Sequence, residues 1–360
     1  MGQRSRNVVS RRRASPRASR LDSRPRALAL ARDDMSLATL STASARVVTA
    51  SRVPRPARRA SSPTTTTTLA RASSSPIPFR ARMRVPIPGR RRRADRVITR
   101  ADALPPPATF DAACAMSEKK GAQTPATTTA LGFSAGALIG LGALLMTCVG
   151  GSSPGLASSN PGLSAFVKGA IGLPAGLSLV ILTGGELFTG NVFVMLSGLM
   201  NGAVNTTQLM RSWVFSYVGN FAGSVFMAYA AWMAMTAAAP AATAAAVGIA
   251  TSKATLPLGV AFVKGVLCNW LVCLAVWGTM ATTSVAGKIL AIFWPITTFV
   301  ALGFEHSVAN MFLIPHGALL GADVTFAQMM MNNIIPVTLG NIVGAAVFVA
   351  GLHWFAYGKK

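Results

Sequence analysis

From Thr128 to Tyr357 the chain passes through one apolar segment after another, each long enough to cross a bilayer, and two of them carry polar side chains in their middle. The two interruptions match. One reads Gly185-Glu186-Leu187-Phe188-Thr189-Gly190-Asn191-Val192-Phe193, the other Gly303-Phe304-Glu305-His306-Ser307-Val308-Ala309-Asn310-Met311-Phe312. Both contain Glu-x4-Asn-x-Phe, 119 positions apart. An ionisable residue inside a spanning segment is costly and marks function by default. Two matched copies, each breaking an apolar segment, mark the solute path of a membrane transporter or channel.

A spanning helix takes ~20 mostly apolar residues. Six segments qualify, at about 128–150, 164–200, 208–238, 258–282, 287–315 and 331–357. The second, from Ser164 to Met200, would reach ~55 Å as one straight helix, against a hydrocarbon core of ~30 Å. It has to tilt or break, and Thr183-Gly184-Gly185 supplies the place; Gly303 does the same in the fifth. A small, polar loop is expected after the third span, through Pro257. A second matched pair strengthens the pattern: Gly219-Asn220-Phe221-Ala222-Gly223 and Gly340-Asn341-Ile342-Val343-Gly344 lie 121 apart. Three spans separate equivalent positions in both pairs. Because three is odd, the halves have opposite orientation, and the interface of such an inverted repeat near mid-bilayer is the expected solute site. The expected fold is an all-α membrane protein of six transmembrane helices in an inverted 3+3 repeat, with the second and fifth helices interrupted. Lys119, Lys120, Arg211, Lys288, Lys359 and Lys360 fall on one side of this arrangement, which places both termini inside.

The formal net charge of +24 belongs elsewhere. Residues 121–360 hold only 7 basic and 3 acidic residues. The excess sits in residues 1–100, an Arg/Ser/Ala/Pro/Thr stretch with Arg11-Arg12-Arg13, a Thr64–Thr68 run and Arg90–Arg93. Such a tail offers no docking fold for nucleic acid. Arg excess with acid depletion and no long apolar block is the composition of an organellar transit peptide, with a processing site near Val97-Ile98-Thr99-Arg100-Ala101 and Met35 as an alternative initiator. The Ser/Thr/Pro content favours the plastid. Residues 101–127 are expected to be a linker with a short pre-membrane segment, and 128–358 the membrane domain. Cys114, Cys148, Cys268 and Cys273 show neither a disulfide framework nor zinc spacing, and no cofactor or metal is expected.

The broken helices assign roles. Backbone amides freed at a break must be satisfied within the protein or by water. Glu186 and Glu305 are placed to accept from such amides, and Asn191 and Asn310 to cap the half-helices. These four are therefore expected to brace the breaks. His306 differs, because Leu187 occupies its position in the first copy. As the side chain that titrates nearest neutral pH, His306 is the expected pore-lining, proton-exchanging group, with Thr189 hydrogen-bonded to it across the interface. Leu187, Phe188 and Phe299 are candidate apolar constrictions. Lys264 either snorkels or draws anions into a vestibule, Asn269 braces helices, and His316 and His353 are expected at exposed span ends. A membrane enzyme built on Glu305 and His306 would need a nucleophile or metal pattern, and neither His-Glu-x-x-His nor Gly-x-Ser-x-Gly is present. An aquaporin-like water or glycerol channel would carry paired Asn-Pro-Ala signatures, but Pro follows neither Asn191 nor Asn310.

These residues resemble the formate/nitrite transporter family. The resemblance is carried by Gly185–Asn191, Lys264-Gly265-Val266-Leu267-Cys268-Asn269-Trp270-Leu271-Val272-Cys273-Leu274-Ala275-Val276-Trp277, Gly303–Phe312 and Gly340-Asn341, in family order over about 128–358. It implies an aquaporin-like six-helix protomer, a homopentamer in the lipid bilayer and one pore per protomer. Leu187, Phe188 and Thr189 match the family's loop motif, His306 its central pore histidine, Phe299 a constriction and Lys264 a vestibule lysine. The substrates so implied are small monovalent anions, nitrite or formate, moved with protons. An Arg-rich leader on such a body is similar to the plastid-envelope nitrite transporters of green algae, which implies the inner chloroplast envelope and a part in nitrate assimilation. A plastid formate or other monocarboxylate channel is the alternative.

Overall fold

The computed structural model describes residues 103–235 and 240–359. The leader expected at 1–100, its processing site and Lys360 lie outside these residues. The described chain is all helical. Its elements are α1 (Pro106–Gly121), α2 (Pro125–Gly150), α3 (Pro154–Ser159), α4 (Pro161–Ile171), α5 (Leu173–Thr183), α6 (Phe188–Met200), α7 (Thr206–Met235), α8 (Pro240–Ala254), α9 (Leu258–Met280), α10 (Val285–Ala301), α11 (Ser307–Leu319) and α12 (Phe326–Tyr357). Five helices are long and apolar enough to cross a membrane: α2, the continuous pair α4–α5, α7, α9 and α12. α10, with 17 residues, and α6, with 13, are shorter apolar pieces.

Local chemistry sets the ends. Thr124 caps α2 by accepting from Thr127 N–H, with Pro125 in the first turn, where a missing amide proton costs nothing. The Asn160 side chain caps α4 in the same way. α5 stops at Gly184 (φ 75°) and α10 at Gly303 (φ 67°), each followed by an extended stretch before the next helix begins. A left-handed residue just past a helix is where glycine avoids the Cβ penalty.

Two tight crossings frame these breaks. On α2 and α7, a Cβ at Gly136 would overlap the carbonyl of Asn220, and one at Gly223 that of Phe133. On α9 and α12, a Cβ at Gly340 would overlap Phe262 O, and one at Gly344 would overlap Val266 O. Small residues allow backbones to touch, which is how helices gain contact without a solvent-driven hydrophobic effect. Large apolar side chains such as Val218, Phe226, Leu290 and Trp294 point outward.

Two connecting segments differ from expectation. Residues 101–127 are not a linker, since they contain α1. Its Phe110, Ala113, Cys114, Ser117 and Gly121 are buried, with Ser117 against Gly198 of α6. The loop expected before Pro257 is mostly α8, whose Ala246 and Ala250 receive Gly317 of α11. Both sequences are too polar or too small-sided to register as spans.

Candidate functional site

Each break is organised by one asparagine from a neighbouring helix. Asn220 Nδ2 donates to Gly132 O (2.8 Å) and Glu186 O (2.9 Å), while its Oδ1 accepts from Phe188 N–H (2.8 Å). Asn341 Nδ2 donates to Gly265 O (2.8 Å) and Glu305 O (3.0 Å), while its Oδ1 accepts from Ser307 N–H (2.9 Å). The extended strands add one bond each, Glu186 N–H to Leu131 O and Glu305 N–H to Lys264 O. Backbone groups released by the broken helices are thus satisfied by two buried amides, as an apolar surround requires.

This corrects two details of the expected bracing. The carboxylates of Glu186 and Glu305 accept from side chains, not from freed backbone amides. Glu186 takes Lys120 Nζ (2.7 Å), Gln123 Nε2 (3.0 Å) and Asn191 Nδ2 (2.8 Å). Glu305 takes Lys253 Nζ on both oxygens (2.9 Å each), Asn310 Nδ2 (2.6 Å) and Asn333 Nδ2 (3.1 Å). Asn191 and Asn310 therefore clamp the glutamates instead of capping the half-helices, and Asn220 and Asn341 receive the first helical amides. The repeat also extends further back than the two motifs. Lys120 and Lys253 lie 133 positions apart, as do Leu131 and Lys264, and Gly132 and Gly265. The lysines stand in the last turns of α1 and α8, where the sequence suggests a linker and a loop. That second offset is the sequence signal for them.

His306 stands at the N-cap of α11, where its Nδ1 accepts from Ala309 N–H at 3.0 Å. In the neutral ring the proton is therefore on Nε2, which lies 3.1 Å from Thr189 Oγ1. Phe299 stacks on the imidazole with centroids 5.9 Å apart and planes 17° apart. Asn269 Nδ2 donates to Thr189 O (3.2 Å) and Asn341 O (2.8 Å), tying the two halves together behind the ring. Leu187 holds the equivalent N-cap position of α6 with no side-chain cap bond.

Three cavities run in series past these residues. A wide vestibule of about 590 Å³ is lined by Lys119, Lys120, Glu186, Leu187, Asn191 and Lys288. A central chamber of about 10 Å³, roughly one water's room, is lined by Ile139, Leu173, Leu177, Leu187, Val272, Ile296, Phe299 and His306. A narrow vestibule of about 70 Å³ includes Lys168, Lys253, Phe299, Phe304, His306 and Asn310. Leu187 borders both chamber and wide vestibule, while Phe299 and His306 border both chamber and narrow vestibule. Among the described residues, His306 is the one polar side chain facing the chamber.

Other expected positions lie elsewhere. Phe188 is no constriction in this conformation: it borders none of these cavities, and its ring packs edge-on against Trp213 and Tyr217. Its side chain follows the face of α6 turned to α7. Thr189 is where expected, hydrogen-bonded to His306 across the interface at 3.1 Å, behind the imidazole and outside the chamber lining. Lys264 lines neither vestibule and contributes its carbonyl to Glu305; the lysine beside the narrow opening is Lys253, eleven residues earlier. His316 is 3 % exposed, so it is no surface residue; it stacks on Phe312 and neither ring nitrogen has a partner. His353 is half-buried against Trp277. Among the described residues, no group of three His, Cys, Asp or Glu could hold a metal ion.

The same chain matches known proteins over this whole region. The sequence pattern of the family described as "Formate/nitrite transporter" matches residues 107–355. A probable formate transporter of Methanothermobacter thermautotrophicus is 47% identical over 247 residues, 64% of this chain and 88% of that protein. A nitrite transporter of Escherichia coli (strain K12) is 35% identical over 226 residues, covering 62% and 81%. Among solved structures, an FNT family ion channel superposes with a TM-score of 0.63 at 33% identity, over 69% of this chain and 98% of that one. A pentameric formate channel with formate bound gives 0.57 at 33% identity, over 65% and 97%. Such proteins are transporters and channels, not enzymes, and the reading of Glu305 and His306 as a hydrolytic site falls away. With its family pattern, its paired helix breaks and its cavities in series all in the same residues, the chain belongs to the formate/nitrite transporter family.

Proposed function

We propose that this protein conducts a small monovalent anion, nitrite or formate, through one pore per protomer in a homopentamer, six helical passages forming an inverted repeat around the chamber. The carrying observation is the chamber itself, apolar on every side but for His306. A bare anion loses its hydration there with nothing to replace it. A weak acid that has taken up a proton is neutral and crosses at far lower cost. It then returns the proton on the other side. The anion enters past lysines, Leu187 and Phe299 close the chamber, and the imidazole of His306 is the one polar group lining it. Lipid covers the outward apolar residues that the neighbouring subunits leave free.

Nitrite is the preferred substrate because the Arg-rich leader fits a protein of the chloroplast inner envelope, where nitrite must cross to be reduced. Formate is the second reading, favoured by 47% identity to a probable formate transporter. Proteoliposomes carrying residues 101–360, loaded with a pH dye, separate the two. Uptake of nitrite that rises as external pH falls is expected. Formate uptake without nitrite uptake would remove the nitrite reading, and water or glycerol flux without anion flux would remove both. A fluorescent fusion of residues 1–120 should label the plastid envelope or stroma; a cytosolic signal would refute the compartment.

A further inference from the structure

Arg211 is the one charged residue of α7, and among the described residues it has no carboxylate partner. Its Nη2 donates to Gly121 O at the end of α1, and Gln208 Nε2 donates to the same carbonyl at 3.4 Å. The half-buried guanidinium also borders an open groove of about 420 Å³ on the outer face of the protomer, lined by Thr206, Thr207, Met210, Arg211, Val214 and Phe215. The hydroxyls of Thr206 and Thr207 are exposed and have no partner among the described residues. No acidic side chain lines the groove.

The groove stands where a headgroup would. α7 has 30 residues, roughly 45 Å of helix against a hydrocarbon core of ~30 Å. Its polar residues Thr206, Thr207, Gln208 and Arg211 open the helix, while Ala230–Met235 at the other end is apolar. The overshoot therefore falls at the Arg211 end, at the water boundary. Directly along the helix from the groove, Met210, Val214 and Val218 are exposed at intervals of four, which puts them on one face. They cover about 12 Å of helix, close to the depth of one leaflet, and Phe226 continues the stripe. A cation and two free hydroxyls thus sit at the head of a hydrocarbon track.

We propose that this groove is a binding site for one anionic phospholipid per protomer, its phosphate on Arg211 and the Thr206 and Thr207 hydroxyls, and an acyl chain along Met210, Val214 and Val218. The planar guanidinium suits a phosphate, and its weak hydration suits a half-buried place. The inference is independent of which anion the pore passes. It gives the lipid a structural effect. Arg211 keeps its bond to Gly121 O while it holds the phosphate, so an ordered headgroup also orders the end of α1. The last turn of α1 carries Lys120, which pairs with Glu186 at the first helix break. Lipid composition thereby reaches the edge of the wide vestibule through one arginine.

Melting curves and native mass spectra of the detergent-purified protein test this, with titrations of short-chain phosphatidylglycerol, phosphatidylcholine of the same chains, and inorganic phosphate. The proteins compared are the wild type, Arg211→Gln, Val214→Glu, and Lys359→Met as a control outside the groove. Phosphatidylglycerol should bind at one lipid per protomer and raise Tm, and the other two should do neither at the same concentration. Arg211→Gln and Val214→Glu should each weaken its binding about fivefold; Lys359→Met should not. Because Arg211→Gln also removes a bond to α1, Val214→Glu, which leaves that bond in place, is the deciding variant. If Val214→Glu loses its oligomer, the wild-type comparison of the two lipids decides. Wild-type affinity in Val214→Glu, equal binding of both lipids, or the same Tm shift from inorganic phosphate would overturn the site. So would a Val214→Cys thiol, in a background without the native cysteines, that maleimide reaches only after the oligomer is dissociated, since a second copy of the chain would then fill the groove.

Discussion

The imidazole of His306 does two jobs that compete. Its Nδ1 holds the first turn of α11 and its Nε2 faces Thr189. If Nε2 is to give up a proton and remain neutral, a proton must arrive at Nδ1, and Ala309 N–H must let go. Proton exchange is therefore tied to uncapping of the half-helix, at about 1 kcal/mol for a cap. Two substitutions separate the jobs. His306→Asn keeps a good N-cap and should melt within a few degrees of the wild type, yet lose the pH dependence of flux. His306→Phe should lose both, with a pentamer still present but less stable by about 1 kcal/mol. Undiminished proton-coupled flux in either variant would remove the imidazole from the mechanism. The sequence made this residue legible, because it is the unmatched position of a matched pair. The Thr189 hydrogen bond to it was legible too, but not that Thr189 stands outside the chamber lining, which depends on how α6 meets α9 and α11.

At the scale of elements, the broken helices are held by amides that belong to other helices. Asn341→Leu would strand two carbonyls and one N–H in a buried site, each at about 1–3 kcal/mol. That should collapse detergent-extracted yield and lower the melting temperature sharply, and Asn220→Leu should do likewise because its three bonds are equivalent. A wild-type melting curve for either would refute the hub role. The breaks themselves were readable from the length of the apolar run and the glycines Gly184 and Gly303. The roles of Asn220 and Asn341 were not, since their partners are more than thirty residues away on other helices. α1 is illegible for a different reason: apart from Phe110 its buried stripe of Ala113, Cys114 and Ser117 is small-sided, and Lys119 and Lys120 follow it. Its docking is testable. Burial first, and the nearby Asp111 carboxylate second, push the Cys114 thiol up to about 11. A raised value keeps the thiol protonated through neutral pH, and the thiolate is the nucleophile. In a variant retaining only this cysteine, maleimide labelling at pH 8 should be far slower than for a free thiol and should rise steeply as pH approaches 11. Fast labelling at pH 8 would show α1 undocked.

The whole molecule is a doubled structure made unequal at a few points. Leu187 answers His306, Phe188 answers Ser307, and Thr189 answers Val308, while the glutamates, the asparagines and the lysines paired with the glutamates have counterparts. Native mass spectrometry should give five copies, and a stable monomer would refute the pentamer. Lys264 is an example at this scale: the motif implies a vestibule lysine, but α9 presents the Lys264 carbonyl to the break, and Lys253, at the end of the separate helix α8, lines the narrow opening.

The inequality of the two vestibules has a pharmacological consequence. Binding sites for drug-sized molecules run from about 300 to 1,000 Å³. The wide vestibule, at about 590 Å³, falls within that range, and the narrow one, at about 70 Å³, falls well below it. A bulky organic acid would seat at one mouth and be refused at the other, so a blocker of this channel should act from a single face of the membrane, and that sidedness would report the orientation of the protein in its bilayer.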